Sequence, residues 1–391
     1  MRSLLPLLLI AATPANPDPA RDPGYAVLAP DTEQRWVPFQ LTAGNQIRFA
    51  MTLDGVPVTA ILDTGVSFSV IARGSRALDP AQVRPGGSAS AIGGVVPIGW
   101  MTTRSMSVGG LTRTGGGIGV AALPETATGS AGVDLLVGRD LIGEAAIDID
   151  YAGHRFRLLS SGRLPFGGAV APLRLSPELN VYQSEIMLGG RRLGPMVVDT
   201  GDGSAITVSQ AAWASVGPAS RPMTSAIAYG LAGPVVTALT IVPDLMLGDL
   251  DAREVEVRVE AAGGFSQGIA AAGRIGSGFL QHYRVLLDPK AGRMVLSANA
   301  DAGTPPLRST SGLLVGVLTD RLRVVHVMRG SPAEAAGWRN GDTICSVDGA
   351  PIPVDYAGNR LASWSVAAPG TVVRLGMCDG SARSLTTRSF Y

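Results

Sequence analysis

One short pattern occurs twice and constrains everything else in the chain. Ala60-Ile61-Leu62-Asp63-Thr64-Gly65 returns as Met196-Val197-Val198-Asp199-Thr200-Gly201. In both copies an apolar run leads straight into an acid, a hydroxyl and a glycine. Apolar runs of this length read as buried strands. A carboxylate at the end of such a strand is costly to desolvate unless specific groups hold it. A single Asp-Thr-Gly is a weak signal in a chain with 51 glycines, whereas two behind the same apolar pattern are a strong one.

The repetition extends well beyond the tripeptide. Gln46 to Leu53 alternates polar and apolar residues, Asp54-Gly55 supplies a hairpin turn, and Val56 to Leu62 leads into Asp63. The second copy has the same order, with Tyr182 to Leu188, a Gly189-Gly190 turn, and Met196 to Val198 before Asp199. Further on, Leu135-Leu136-Val137-Gly138-Arg139-Asp140-Leu141 matches Ile275-Gly276-Ser277-Gly278-Phe279-Leu280, and Ile149 to Arg155 matches Leu287 to Arg293. The matched glycines trail their aspartates by nearly equal distances. Internal repetition of this length implies two similar lobes, residues 21–165 and 166–300. Each contains a glycine-bearing hairpin, one at Gly93-Gly94 and one at Tyr229-Gly230. These are either ordinary turns or flaps that close over a site.

Residues 301–311 are rich in Ala, Pro, Ser and Thr without strand periodicity, as in a linker. In the unit that follows, residues 312–391, Leu313–Leu318 and Leu322–Met328 read as strands. A short helix starts with Ser331 as N-cap and Pro332 at its first position, and Gly337 stops it. Tyr356–Val366 suits a helix, and Val372–Met377 a last strand. At the other end, Arg2, the apolar Leu4–Ala12 run and a small-residue stretch ending at Ala15 describe a signal peptide within residues 1–20. The expectation is an exported protein, periplasmic or secreted. That apolar run is far below the ~20 residues of a spanning helix, so no stable membrane span is expected. Arg21 to Pro30 is expected to be extended and poorly ordered.

Balanced charge, with 32 basic and 31 acidic residues, argues against a nucleic-acid partner. His154, His282, His326, Cys345 and Cys378 do not fall at metal-ligand spacing, so neither a metal nor another cofactor is expected. The aspartates are the better candidates. Two lobes facing each other about a pseudo-twofold axis bring Asp63 and Asp199 together. Two adjacent carboxylates cannot both ionise cheaply, so they titrate as a unit. In the singly ionised pair one member takes a proton from water while the other donates to a substrate carbonyl. Thr64 and Thr200 supply hydroxyls to pin the two loops together, and Gly65 and Gly201 leave backbone amides free for the carboxylates.

With the two Asp-Thr-Gly loops and the apolar-apolar-Gly elements at Gly138 and Gly276, residues 40–300 resemble a single-chain, duplicated aspartic protease of the retropepsin-like kind. The resemblance implies a mainly β chain with a six-stranded closed barrel per lobe and a peptide or protein substrate in the cleft between lobes. Gly138-Arg139-Asp140 resembles that family's Gly-Arg-Asp. Gly276-Ser277-Gly278 departs from it, and Asp202 places an extra carboxylate near the pair, either raising its pKa or pointing outward. Residues 312–391 resemble a PDZ domain through Gly330-Ser331-Pro332-Ala333, Ala336-Gly337, Gly341-Asp342 and Val347-Asp348-Gly349. Such a domain takes a peptide or a C-terminus as an added strand, with the carboxylate loop near Gly312-Leu313-Leu314. Cys345 and Cys378 fall on strands that neighbour each other in such modules, where they form either a disulfide or two buried thiols. The chain end, Ser389-Phe390-Tyr391, is either a ligand for such a groove or a frayed terminus. The implied function is an aspartic endopeptidase whose PDZ unit selects substrates. The alternative is an inactive scaffold acting as a peptide-binding adaptor.

Overall fold

The computed structural model describes residues 24–216, 221–356 and 359–391. The expected signal peptide, residues 1–20, lies outside them. The described chain is mainly β, arranged in sheets of sixteen, eight and six strands. Among the described residues no helix is long and apolar enough to cross a membrane.

The Asp63 strand, Val56–Leu62, pairs antiparallel with Ile47–Leu53 through the Asp54-Gly55 turn. Asp54 and Gly55 both take positive φ there, which glycine accepts without strain. On its other side the Asp63 strand pairs in parallel with Leu135–Val137. The Asp199 strand, Arg191–Asp199, repeats this arrangement between Tyr182–Leu188 and Gly273–Gly276. Both strands are thus central, and the ends that lead into the aspartates are buried on both faces, which is why those ends are apolar rather than alternating. Ala60, Ile61 and Leu62, like Met196, Val197 and Val198, are almost fully buried.

The two halves are not separate barrels. The sixteen-stranded sheet contains the strands of the first half together with Ala169–Pro172, Tyr283–Asp288 and Arg293–Ala298 from the second. Ala146–Asp150 pairs antiparallel with Tyr283–Asp288, so the sheet runs across the boundary between halves. This differs from the expected closed barrels: three strands of the second half leave its eight-stranded sheet and join the sheet of the first half. The expected poorly ordered lead also contains a strand, Tyr25–Leu28, paired antiparallel with Leu111–Thr114. Its side chains are largely exposed, so backbone hydrogen bonds hold it and the side-chain pattern gives no sign of it.

In the third sheet Leu313–Val317, Leu322–Val327, Thr343–Val347, Val372–Met377 and Ala382–Thr386 follow one another across the sheet. The last of these lies beyond the expected final strand. The helix starting at Pro332 has Ser331 as its N-cap, with the Ser331 hydroxyl accepting from the Glu334 N–H. Where a helix was expected over Tyr356–Val366, a 3₁₀ helix runs from Arg360 to Val366, capped by the Asn359 side chain. Cys345 and Cys378 form a disulfide. The C-terminus is not frayed: Phe390 and Tyr391 pack with Leu314 and Met328 against Ala226 and Leu239 of the second half.

Candidate active site

Both Asp-Thr-Gly loops leave their strands toward the same point and interlock. The Thr64 N–H donates to Thr200 Oγ1 at 3.1 Å, and the Thr200 N–H donates to Thr64 Oγ1 at 3.0 Å. The Thr64 hydroxyl donates across the boundary to the Val198 carbonyl, and the Thr200 hydroxyl to the Leu62 carbonyl, both at 2.7 Å. Both threonines are fully buried. Both N–H groups and both hydroxyls in this crossing are paired, as a dry site requires.

The glycines fix how closely the carboxylates approach. A Cβ on Gly65 would lie 2.3 Å from Asp199 Cγ, and one on Gly201 would lie 2.3 Å from Asp63 Cγ. Each glycine therefore makes room for the other loop's acid. The Gly65 N–H donates to Asp63 Oδ1 and the Gly201 N–H to Asp199 Oδ1, each at 3.0 Å. The loops are also tied from outside. Gln46 Nε2 donates to the Gly201 carbonyl at 2.9 Å and Asn45 Nδ2 to the Gly203 carbonyl at 3.0 Å. In return Asn180 Nδ2 donates to the Ser67 carbonyl at 3.2 Å.

Both acids titrate high. Burial, the Asp199 charge and a hydrogen bond to Asp199 raise Asp63 well above the usual carboxylate range, against the stabilising Gly65 N–H. Burial and the Asp202 carboxylate raise Asp199 to about 6, opposed by Arg274 and by the Gly201 and Asp202 N–H groups. Asp202 points inward, which settles one of the alternatives left by the sequence. Its Oδ2 accepts from Arg274 Nε at 2.8 Å.

The pair sits in a cavity of about 440 Å³ whose walls are mainly apolar. Phe68, Ile98 and Leu136 line it from the first half, and Val181, Phe265 and Ile269 from the second. Both hairpins belong to this cavity. Arg84–Ala91 with Gly94–Thr102, and Thr224–Gly230 with Gly233–Leu247, extend so that their tips meet. The Ala232 N–H donates to the Ile92 carbonyl at 3.2 Å. A Cβ on Gly230 would lie 2.1 Å from that same carbonyl oxygen, and one on Gly93 would lie 2.9 Å from the Gly233 carbonyl oxygen. Tyr229 faces the cavity. The structure thus gathers Asp63, Asp199, Gly65, Gly201, Tyr229 and Gly230 around one cavity, with Thr64 and Thr200 beneath it and the Gly93-Gly94 turn above.

Gly312, Leu313 and Leu314 lie apart from that cavity, at the start of the third sheet. The Gly312 N–H donates to Ser309 Oγ at 2.9 Å and the Leu313 N–H to Ser311 Oγ at 3.2 Å. Gly312 takes φ +79°, and a Cβ there would lie 2.0 Å from Ser331 Cβ. Beside this segment the third sheet abuts the second hairpin. The Thr224 hydroxyl donates to the Arg329 carbonyl at 2.8 Å, the Arg329 N–H donates to Ser225 Oγ at 3.0 Å, and that oxygen lies 2.8 Å from His326 Nε2.

Sequence reasoning missed Gln46, Phe265, Ile269, Arg274 and Glu260. Arg274 alone left a legible signal, a charge inside the otherwise apolar strand that leads to Gly276. In comparisons with known proteins the chain matches no protein-family model, and no curated protein matches its sequence.

Proposed function

We infer that the protein is an aspartic-type endopeptidase with two retropepsin-like lobes and a PDZ-like unit over residues 312–391 that recruits protein substrates. One observation carries the reading. Two Asp-Thr-Gly loops meet with each glycine against the other's carboxylate, at the floor of an apolar cavity roofed by two hairpins. A structural strand-end cap has no use for a second acid held at such range, because like charges there destabilise the fold. Acid–base catalysis does use it.

In this reading the ionised member of the pair takes a proton from a water, whose oxygen attacks the scissile carbonyl carbon. The protonated member gives its proton to the carbonyl oxygen. The resulting tetrahedral diol collapses as the C–N bond breaks. The amine leaves with the proton taken from the water, and a diol hydroxyl returns its own proton to the other carboxylate, so the pair is again singly protonated. The apolar walls exclude bulk water and strengthen each of these hydrogen bonds. The Cys345–Cys378 bond supports an oxidising compartment, where the expected leader would deliver the chain.

Substitution tests the reading directly. Asp63→Asn and Asp199→Asn should each lower cleavage of an unfolded protein substrate by roughly 10²–10⁴-fold. Circular dichroism should show the fold unchanged. Full turnover in either variant removes the two-aspartate mechanism.

A further inference from the structure

The two halves treat their aspartates differently, and a buried charged trio in the second half is the reason. Arg274 is 4% exposed. Its Nε donates to Asp202 Oδ2 at 2.8 Å, and its Nη1 donates to Glu260 Oε1 at 2.7 Å and Ser266 Oγ at 2.9 Å. The guanidinium lies 5.3 Å from the Phe265 ring centroid. Its Nε is also 4.0 Å from Asp199 Oδ2. Asp202 turns its own N–H to Asp199 Oδ1 at 3.1 Å. Asp199 thus receives two backbone donors and a nearby cation, whereas Asp63 receives the Gly65 N–H.

The pseudo-equivalent positions of the first half are apolar. Arg274 pairs with Val197 where Leu136 pairs with Ile61. Asp202 follows Asp199 at the spacing by which Val66 follows Asp63. Glu260 follows Val259, the partner of Val208, as Ala122 follows Ala121, the partner of Ala72. A half of the same strand order is therefore built without the trio. Buried ionic groups of this kind add little net stability over apolar residues of similar size.

We propose that Arg274, oriented by Asp202 and Glu260, is a positioning residue that keeps Asp199 the ionised member of the pair and leaves the proton on Asp63. This deepens the endopeptidase reading and rests on it for its consequence: Asp199 activates the water and Asp63 protonates the carbonyl. The charged groups facing Asp199 are Asp63, Asp202 and Arg274. Those facing Arg274 are Asp199, Asp202 and Glu260. The two substitutions that follow have opposite signs. Arg274→Gln removes the cation and should move the Asp199 titration, and with it the acid limb of kcat/KM, upward by about 1–3 pH units. Asp202→Asn removes an anion and should move both downward.

The full-length protein carrying ¹³C-labelled aspartate lets NMR follow the carboxyl carbons without any turnover, beside the pH dependence of kcat/KM. Opposite displacements in the two variants are the expected result. Two variants that titrate like the parent, or that merely lose stability or raise KM, overturn the assignment. If Arg274→Gln fails to fold, Arg274→Lys decides: it loses the fork that Asp202 and Glu260 hold, so an upward displacement of the Asp199 titration supports the assignment and none overturns it. A protein that cleaves nothing but shows the opposite NMR displacements overturns the endopeptidase reading and leaves the charge assignment standing.

Discussion

At the scale of single residues, two aspartates share one site without sharing the same surroundings. Burial and the charge of Asp199 hold Asp63 well above the usual carboxylate range. Asp199, raised by burial and Asp202 to about 6, is relieved by Arg274 and two N–H groups. The proposed hydrolysis needs one proton on the pair, so it should fall below the pair's lower titration step and above its upper one. The expected profile is a bell with its acid limb near pH 6, displaced upward from that of ordinary aspartates, and kcat/KM measured from pH 3 to 9 checks it. Stability follows the opposite sense to a salt-bridged carboxylate. Both folded values lie above the unfolded one, so the pair favours the fold at low pH and loses that contribution as pH rises through the folded values. The acid, hydroxyl and glycine were legible because they recur as a contiguous tripeptide. The trio around Arg274 was not, because its members lie 72 and 14 residues apart in sequence and only the fold gathers them.

At the scale of elements, the hairpins form the part of the site whose position depends most on contact with each other. Where Gly230 lies against Ile92, a methyl group would meet the Ile92 carbonyl and Cβ, neither of which can yield without the backbone moving. Gly230→Ala costs about 1–3 kcal/mol if the tips stay together, so they part and peptide KM should rise roughly tenfold with the fold intact. Steady-state kinetics on a short peptide decide this, and an unchanged KM would mean the tips do not close over the peptide. The strands that position these features were legible where apolar runs or strict alternation marked them, as at Ile47–Leu53 and Tyr182–Leu188. Two edge strands were not. In Ala382–Thr386 only Leu385 is buried, and Tyr25–Leu28 has no buried side chain at all. Such strands are held through their backbones, which the side-chain pattern does not encode.

At the scale of the whole molecule, duplication was legible but the joining of the halves was not. Ala146–Asp150 and Tyr283–Asp288 look alike whether each closes its own barrel or pairs with the other, and the structure pairs them with each other. The third sheet is likewise no free appendage. Ser225 and Thr224 at the base of the second hairpin bond to His326 and Arg329, and Phe390 and Tyr391 cover Ala226 and Leu239. Deleting residues 305–391 should therefore lower Tm by several degrees, since about 1 kcal/mol shifts Tm by roughly 1–2 °C in a protein of this size. It should also weaken short-peptide turnover, through the loosened hairpin. Calorimetry and peptide kinetics on the truncated chain check both, and unchanged kinetics would show the sheet and hairpin to be mechanically independent.

The crossed threonines have a consequence for the order of events at birth. During synthesis the first acid emerges long before the hydroxyl that must clasp its loop, so a nascent chain ending short of Thr200 lacks the contact that sets the two loops together. If the pair hydrolyses peptides as proposed, that activity is therefore absent until the second loop has been made and has folded against the first.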